Sequence, residues 1–420
     1  MEIDKNLLKR DVLDRFLRYV QIHTTSDPHA EKVPSTDNQW ELLRLLEQEL
    51  KEIGVEEVEL DGKGFLLARL HAHTGVNAPA IGFMAHVDTS SDVSGEGVKP
   101  ILHENYRGEE LELGEGKLLS AKEYPELSGC LGDTIITSDG TTLLGADDKA
   151  GVAEILTALK WFKEHPEYPH GEIEAIFTPD EETGRGMNSF PLKKLHSKYC
   201  YTMDGGGRGV IEGECFNAHV ARVRFTGNVI HLGQARGRLV NAVSMAGAFI
   251  SMLPRNESPE ATDGRYGYYA PFEVRGGLDE AELEVYLRDF ESDGMDRRIA
   301  ALHSLAEAVE ASFPGGKVKV ETRKMYSNMR KHTDKEPRVM ELLDKAVRSA
   351  GVEPEHTIIR GGTDGARLSE MGVPAPNVFN GGHNFHSSLE WASLNTMTEA
   401  VETILHLAGL WARERPDFGD

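Results

Sequence analysis

Two apolar periods alternate along most of this chain, and that alternation limits the fold more than any other feature. Leu7, Leu8, Val12, Leu13, Phe16, Leu17 and Val20 recur at three- and four-residue steps, which puts one apolar stripe on a helix. Residues 40–53 repeat the helical pattern. Residues 55–60 and 65–70 are strand-like, with Asp61-Gly62 as the turn between them. An apolar run over 78–87 ends in His86 and Asp88, a helix is expected from 148 to 162, and 172–177 is again strand. Apolar strands alternating with helices need a sheet covered on both faces, so an α/β fold is expected. At 420 residues the chain is too long for one ordinary core, and two domains are expected.

The pattern changes near Glu214. Residues 218–225 alternate, with His219, Ala221, Val223 and Phe225 on one face and Val220, Arg222 and Arg224 on the other. A helix over 240–253 follows, then a loop rich in Pro, Gly and Tyr, a strand over 282–290, a helix over 295–311 and a strand over 317–325. This order approaches the strand-helix-strand-strand-helix-strand of a ferredoxin-like sandwich, with one strand weakly marked. After Tyr326 the earlier alternation resumes, with 374–379 a strand leading towards His386. The middle of the chain therefore reads as an insertion.

Composition narrows the function. Lys and Arg total 46 against 69 Asp and Glu, a net charge of −23, and no basic block stands out to neutralise a phosphate backbone. A nucleic-acid partner is not expected. Cys130, Cys200 and Cys215 are odd in number and far apart, which argues against a disulfide framework and a thiolate zinc site. The polar start Met1-Glu2-Ile3-Asp4-Lys5 has no signal-peptide core, and no apolar run reaches spanning length, so a cytoplasmic protein without a membrane partner is expected.

Five acidic or histidine-bearing strings follow in order, most of them at the end of a strand-like run. In His86-Val87-Asp88 the two polar residues project from one face of a strand, so Asp88 can orient the His86 ring; a surface histidine beside a turn-forming Asp has the same sequence. Asp147 and Asp148, between Gly145 and Gly151, fit a helix cap as well as a carboxylate bridging two metals. Asp180-Glu181-Glu182 is either a solvated acidic loop or a cluster neutralised by cations, with Glu182 a ligand and Glu181 a base. Asp204 adds one acid at another strand end. Near the C-terminus His383 and His386 are alternative imidazoles. Arg360-Gly361-Gly362-Thr363-Asp364-Gly365 lacks both the Walker lysine and the helix that should follow a phosphate loop, so nucleotide binding is set aside.

The ordered set resembles the dinuclear-zinc aminopeptidase, carboxypeptidase and aminoacylase superfamily, most closely its peptidase T branch, the tripeptide aminopeptidases. The strings that carry the resemblance are H-V-D-T at His86, L-L-G-A-D-D-K-A-G through Asp147, T-P-D-E-E at Glu181, D-G-G at Asp204, R-G-G-T-D-G-A at Arg360 and G-G-x-N-x-H ending at His386. They span nearly the whole chain.

The resemblance implies an α/β zinc-peptidase catalytic domain, a mixed sheet covered by helices, formed by residues 1–215 and 326–420. It implies an inserted α+β ferredoxin-like lid and dimerisation domain over 216–325. Carried over residue by residue, His86 and Asp204 hold one metal, Glu182 and His386 the other, and Asp147 bridges them through a carboxylate followed by a cis peptide to Asp148. Asp88 orients His86, and Glu181 is the general base towards a metal-bridging water. His231 stabilises the oxyanion, in a string where Leu232 replaces the usual proline. Arg288, Asn328 and Arg360 match substrate-anchoring positions, though each suits a structural ion pair equally. Ser387-Ser388 departs from the glycine that usually follows the last histidine. The implied cofactors are two Zn2+ ions, with Co2+ or Mn2+ compatible with the same donors. The implied partners are a small peptide substrate and a second copy of the chain. The expected reaction removes the N-terminal residue from tripeptides; a dipeptidase or N-acyl amino acid amidohydrolase is the close rival, and a non-catalytic metal- or peptide-binding relative the distant one.

Overall fold

The computed structural model describes residues 3–415. Met1 and Glu2, part of the polar start read above, lie outside the described residues. Two compact units divide the chain: Met1–Gly213 with Met329–Thr357 and Thr363–Asp420, and Glu214–Asn328 with Ile358–Gly362. The sequence reading puts 214–215, 326–328 and 358–362 with the first unit, whereas the structure gives them to the second. For 358–362 the cause is local bonding: the Phe216 N–H donates to the Ile359 carbonyl at 3.2 Å, and the Arg360 guanidinium donates to carbonyls of Thr262, Gly264 and Tyr266.

In the first unit the main sheet has eight strands, ordered Glu57–Leu60, Leu66–Leu70, Ile173–Thr178, Ile81–His86, Tyr199–Gly205, Asn377–Phe379, Val210–Cys215 and Glu355–Ile359. The middle four strands from Ile173–Thr178 to Asn377–Phe379 run parallel, and the flanking pairs with resolved register are antiparallel, so the sheet is mixed as expected. Because successive side chains leave a strand on opposite faces, two cores form. Phe83, Ala85, Ala175, Phe177 and Tyr201 pack on one face with Val12, Phe16, Leu156 and Leu405 from the helices Lys5–Val20, Ala146–Glu164 and Leu394–Trp411. Met84, Ile176 and Cys200 pack on the other with Phe65, Met187 and Leu368. Leu368 belongs to the helix Asp364–Glu370, capped by the Thr363 hydroxyl, so the sequence reading that no helix follows the Arg360 string is corrected. Seven residues are too short to display a helical period.

The parallel strands bring their carboxyl ends to one rim, the usual place for a site in an open α/β sheet. His86 closes its strand, Asp180-Glu181-Glu182 follows Thr178 by one residue, Asp204 is next to last in its strand, and Phe379 leads into the loop bearing His386. A small sheet that the sequence did not announce, ordered Gly382–His383, Trp391–Ser393, Ile135–Thr137 and Ile101–His103, pins that loop at both ends. Its strands are two or three residues long, too short for any alternation.

In the second unit four antiparallel strands lie in the order Tyr268–Gly276, Glu280–Asp289, Asn217–Thr226 and Lys317–Tyr326. Helices Ala242–Met252 and Ser292–Ser312 cover one face, where Val223, Phe225, Leu283 and Val285 meet Met245, Phe249, Leu302 and Val309. This is the ferredoxin-like arrangement. The Pro-, Gly- and Tyr-rich segment read as loop forms the missing strand, Tyr268–Gly276. It lies at the edge and shifts register between Pro271 and Glu273, where a residue without an N–H is tolerated. Among the described residues no helix is long and apolar enough to cross a membrane.

Candidate metal centre

The first unit brings all five expected ligands together, around the two oxygens of Asp147. Oδ1 lies 2.9 Å from His86 Nε2, and Oδ2 lies 3.3 Å from His386 Nε2. Asp204 Oδ1 is 3.8 Å from the same His86 nitrogen, and Glu182 Oε2 is 3.0 Å from the same His386 nitrogen. Two groups result, each with one imidazole nitrogen, one terminal carboxylate and one oxygen of the shared Asp147. His383 is not part of them; it is stacked on Trp391 with centroids 4.0 Å apart.

Local structure explains how Asp147 reaches this position. Gly145 takes φ 87°, which favours glycine, and the Asp147-Asp148 peptide is cis. A Cβ on Gly151 would sit 2.5 Å from the Met203 carbonyl, so only glycine lets this helix approach the strand bearing Asp204 so closely. Asp148 lies close enough to His86 and Asp204 to join a ligand set. Its carboxylate is already occupied, accepting from Asn380 Nδ2 at 3.0 Å and from the His86 and Gly151 N–H groups at 3.3 Å.

Both rings are oriented from their other nitrogen. His86 Nδ1 donates to the Asp88 backbone carbonyl at 3.0 Å, and His386 Nδ1 to Asp92 at 3.1 Å, so each Nε2 is turned to the carboxylates. The Asp88 carboxylate has a further task. Its oxygens accept the Glu181 N–H at 3.0 Å and the Glu182 N–H at 3.2 Å, fixing the acidic turn. Asp180 faces away from the cluster. It is buried, and accepts from the Ser35 N–H and Gln39 Nε2, both at 2.7 Å, and from the Ser35 hydroxyl. The three consecutive acids therefore do not all crowd one pocket.

The electrostatics call for cations. Burial, reinforced by Asp147, lifts Asp204 well above the carboxylate range, and burial does the same to Glu181. Glu182 is pushed up to about 7, again by burial first and Asp147 second. Burial opposes ionisation of Asp147 as well, but its hydrogen bonds with His386 and His86 outweigh that and hold it low. Hydrogen bonds with Asp147 and Glu182 raise His386 to about 11. Glu182 Oε1 is buried without a partner. Two imidazole nitrogens facing three carboxylates, with one carboxylate oxygen unsatisfied, fit a pair of divalent ions that accept nitrogen and oxygen donors.

The other expected site residues all lie in the second unit. His231 is exposed, and its Nδ1 accepts the Gly233 N–H at 3.2 Å, which leaves the proton of a neutral ring on Nε2. Arg288 is 8% exposed. It donates to the Leu287 and His219 carbonyls at 3.0 and 3.4 Å and lies over the rings of Tyr286 and Tyr326. Among the described residues no carboxylate forms an ion pair with it. Arg360 is differently placed: four hydrogen bonds to Thr262, Gly264 and Tyr266 tie its guanidinium to one loop. Asn328 is buried, donating to Glu214 and to the Phe290 carbonyl and accepting from the Cys215 N–H, so it ties neighbouring segments of this unit together.

Three acids near the centre escaped the sequence reading of roles. Asp180 looked like part of the acidic cluster. Asp364 is buried and pushed up to about 7 by burial, and its charge reaches Glu181. Glu390 is buried beside the Asp147 turn. The only signal for Glu390 was a lone acid leading an apolar strand.

Residues 140–409, more than half of the chain, match the model of peptidase family M20/M25/M40. The chain belongs to this family. Within it, the chain is 41% identical over 409 residues to peptidase T of Geobacillus sp. (strain WCH70), covering 97% of this chain and all of that one. It is 44% identical over 405 residues to peptidase T of Caldanaerobacter subterraneus, covering 96% and 99%. Its fold is that of aminopeptidase PepT from Bacillus cereus, with a TM-score of 0.76 at 24% identity over 96% of this chain and 99% of that one. A dinuclear metal-binding M20 peptidase from Bacillus subtilis has the same fold, with a TM-score of 0.66 at 15% identity over 96% and 98%. As a family member with peptidase T relatives over its full length, the chain is a hydrolase of peptide bonds.

Proposed function

We propose that this peptidase removes the N-terminal residue from tripeptides with two zinc ions. His86 and Asp204 would hold one ion, His386 and Glu182 the other, and Asp147 both. The observation that carries this reading is the division of the two Asp147 oxygens between two imidazoles. When bound, such ions supply Lewis acidity and bring the pKa of a water to about 7. Glu181, with its backbone fixed by Asp88, takes the proton of the attacking water and returns it to the amine nitrogen as the C–N bond breaks. The resemblance of its string gives His231 the role of oxyanion donor, and a proton on Nε2 suits it to that role, a contribution whose loss typically costs about 2.7–4 kcal/mol. Arg288, a buried guanidinium with no carboxylate partner among the described residues, is the candidate to receive the carboxylate terminus of the peptide. Arg360 and Asn328 hold the loops around it.

The tripeptide preference is supported by the names of the full-length relatives, and by the likeness in fold to a protein described as a tripeptidase from Staphylococcus aureus (TM-score 0.77, 21% identity, 97% and 99% covered). The decisive assay sets tripeptides, dipeptides and N-acyl amino acids side by side with zinc-, cobalt- and manganese-loaded enzyme and with chelated enzyme. Release of the N-terminal residue from tripeptides alone, strongest with zinc and abolished by chelation, is expected. Equal turnover of dipeptides or acyl amino acids overturns the substrate, and full activity without metal overturns the chemistry.

The same reading takes the enzyme as a cytoplasmic homodimer. Three free cysteines suit a reducing compartment. Phe272 and Val274 are exposed on the edge strand Tyr268–Gly276, where a second copy can pair. Sedimentation of the wild type against Phe272→Lys tests the dimer, and a monomeric wild type refutes it.

A further inference from the structure

Glu390 is 1% exposed, and burial pushes its carboxyl up to about 7. Both its oxygens are used on one turn. Oε2 accepts the Leu144 N–H at 2.7 Å and the Gly145 N–H at 2.8 Å, and Oε1 accepts the Asp147 N–H at 3.1 Å. Among the described residues no cation forms an ion pair with it; the amine of buried Lys149, pushed down to about 7 by burial, is held up in part by the charges of Glu390 and Asp88.

The loop that ends in Glu390 also carries His386, whose Nε2 lies 3.3 Å from Asp147 Oδ2. One short segment therefore reaches Asp147 twice, at the carboxylate and at the backbone N–H. The segment is itself braced. The Leu389 N–H donates to the Ser387 hydroxyl at 3.0 Å, the Glu390 N–H to the Ser387 carbonyl at 3.2 Å, and Lys117 Nζ to the Ser388 hydroxyl at 2.9 Å. The two serines that depart from the family string thus have partners in this chain.

A carboxylate that accepts three amide protons from a turn restricts how that turn can move. We propose that Glu390 is a positioning residue that sets the Asp147 carboxylate between His86 and His386, so that one acid outside the ligand set governs both ion positions. This rests on the dinuclear reading above. Unlike loss of a terminal ligand, which weakens one ion, loss of Glu390 weakens both together, because Asp147 belongs to both.

The test is Glu390→Gln, which keeps the shape but replaces one accepting oxygen with a donor. Parent and variant are titrated with Zn2+ against a competing chelator and with Co2+ by visible absorption. The kcat and KM on a tripeptide and the thermal unfolding of the metal-free forms are measured alongside. Both ions are expected to bind about 10- to 100-fold more weakly in the variant, with a changed Co2+ spectrum, lower kcat at saturating metal, unchanged KM and a metal-free melt close to the parent's. A variant that melts lower yet matches the parent in metal affinity, spectrum and kcat makes Glu390 merely structural and overturns the proposal alone. A parent that takes up no metal overturns the dinuclear reading and this proposal with it. If the variant does not fold, amide exchange in the metal-free parent decides: slow exchange at Leu144, Gly145 and Asp147 supports the clamp, and exchange at open-loop rates overturns it.

Discussion

Asp88→Asn is the sharpest probe of how the centre is held. Asp88 is fully buried, and its two oxygens accept the Glu181 and Glu182 N–H groups at 3.0 and 3.2 Å. Asparagine has nearly the same volume, so no cavity is made. One oxygen becomes an NH2 that faces a backbone donor and can accept nothing. A hydrogen bond to a charged group contributes about 1.5–3 kcal/mol, and the stranded amide adds its own desolvation. If that energy holds the base and the ligand in register, its loss lowers turnover by roughly 10- to 150-fold at 1.36 kcal/mol per decade. The His86 ring keeps its shorter contact in this variant, because its Nδ1 donates to the Asp88 backbone carbonyl at 3.0 Å and lies 3.4 Å from the carboxylate. The assay is kcat and KM on a tripeptide at saturating zinc, together with metal content. A fall in kcat with both ions retained is expected. Parent-like kcat refutes the argument that the carboxylate holds the acidic turn, and loss of an ion with intact kcat per bound pair refutes the retained His86 contact.

Further outcomes follow from other contacts. Glu181→Gln should keep both ions and lose turnover; near-parent activity by peptide-release assay rejects it as the base. Arg288→Ala should raise KM for a free-acid tripeptide by about tenfold or more, and leave a C-terminally amidated tripeptide unaffected; equal effects on both reject the carboxylate contact. Burial holds the His383 ring at about 4, below its ordinary value, so the unfolded chain takes up a proton that the folded one refuses. Its contribution is complete above pH 6.5 and is lost as pH falls from there to about 4, a change on the order of 2–3 kcal/mol. Urea unfolding of His383→Phe at pH 7.5 and 4.5 should show a smaller loss than the parent; an equal loss in both rejects the assignment.

The parts of this molecule that were legible in the sequence share one property: they are periodic or they stand in a string. Strands 81–86 and 173–178 announce themselves by short, largely apolar runs, and the structure buries every residue of both, Glu174 included. Three of the ligand strings, at His86, Glu182 and Asp204, were legible because each stands at the end of a strand. Short pieces were not. The two- and three-residue strands that pin the His386 loop, and the seven-residue helix after Thr363, are shorter than the period that would reveal them. The edge strand Tyr268–Gly276 carries Pro271 and exposed Phe272 and Val274, so it resembles a loop in composition, and pairing with Glu280–Asp289 decides the matter.

Polar support around the centre was hidden for a different reason. A carboxylate that binds metal and one that binds backbone amides are the same letter in a sequence, and only distance separates them. Asp180 stands beside Glu181 yet turns to Ser35 and Gln39, more than 140 positions earlier. Glu390 stands four residues after His386 yet acts on amides some 245 positions back. Neither pairing has a spacing rule, since both are made by the sheet that brings four strand ends together. The ligand set of such a centre is therefore readable from motifs, while the acids that hold it are readable only from the fold. Exchange rates at Leu144, Gly145 and Asp147 and the response to Asp88→Asn bear directly on this division. If the amide-binding acids prove dispensable, the motif residues alone suffice to build the centre.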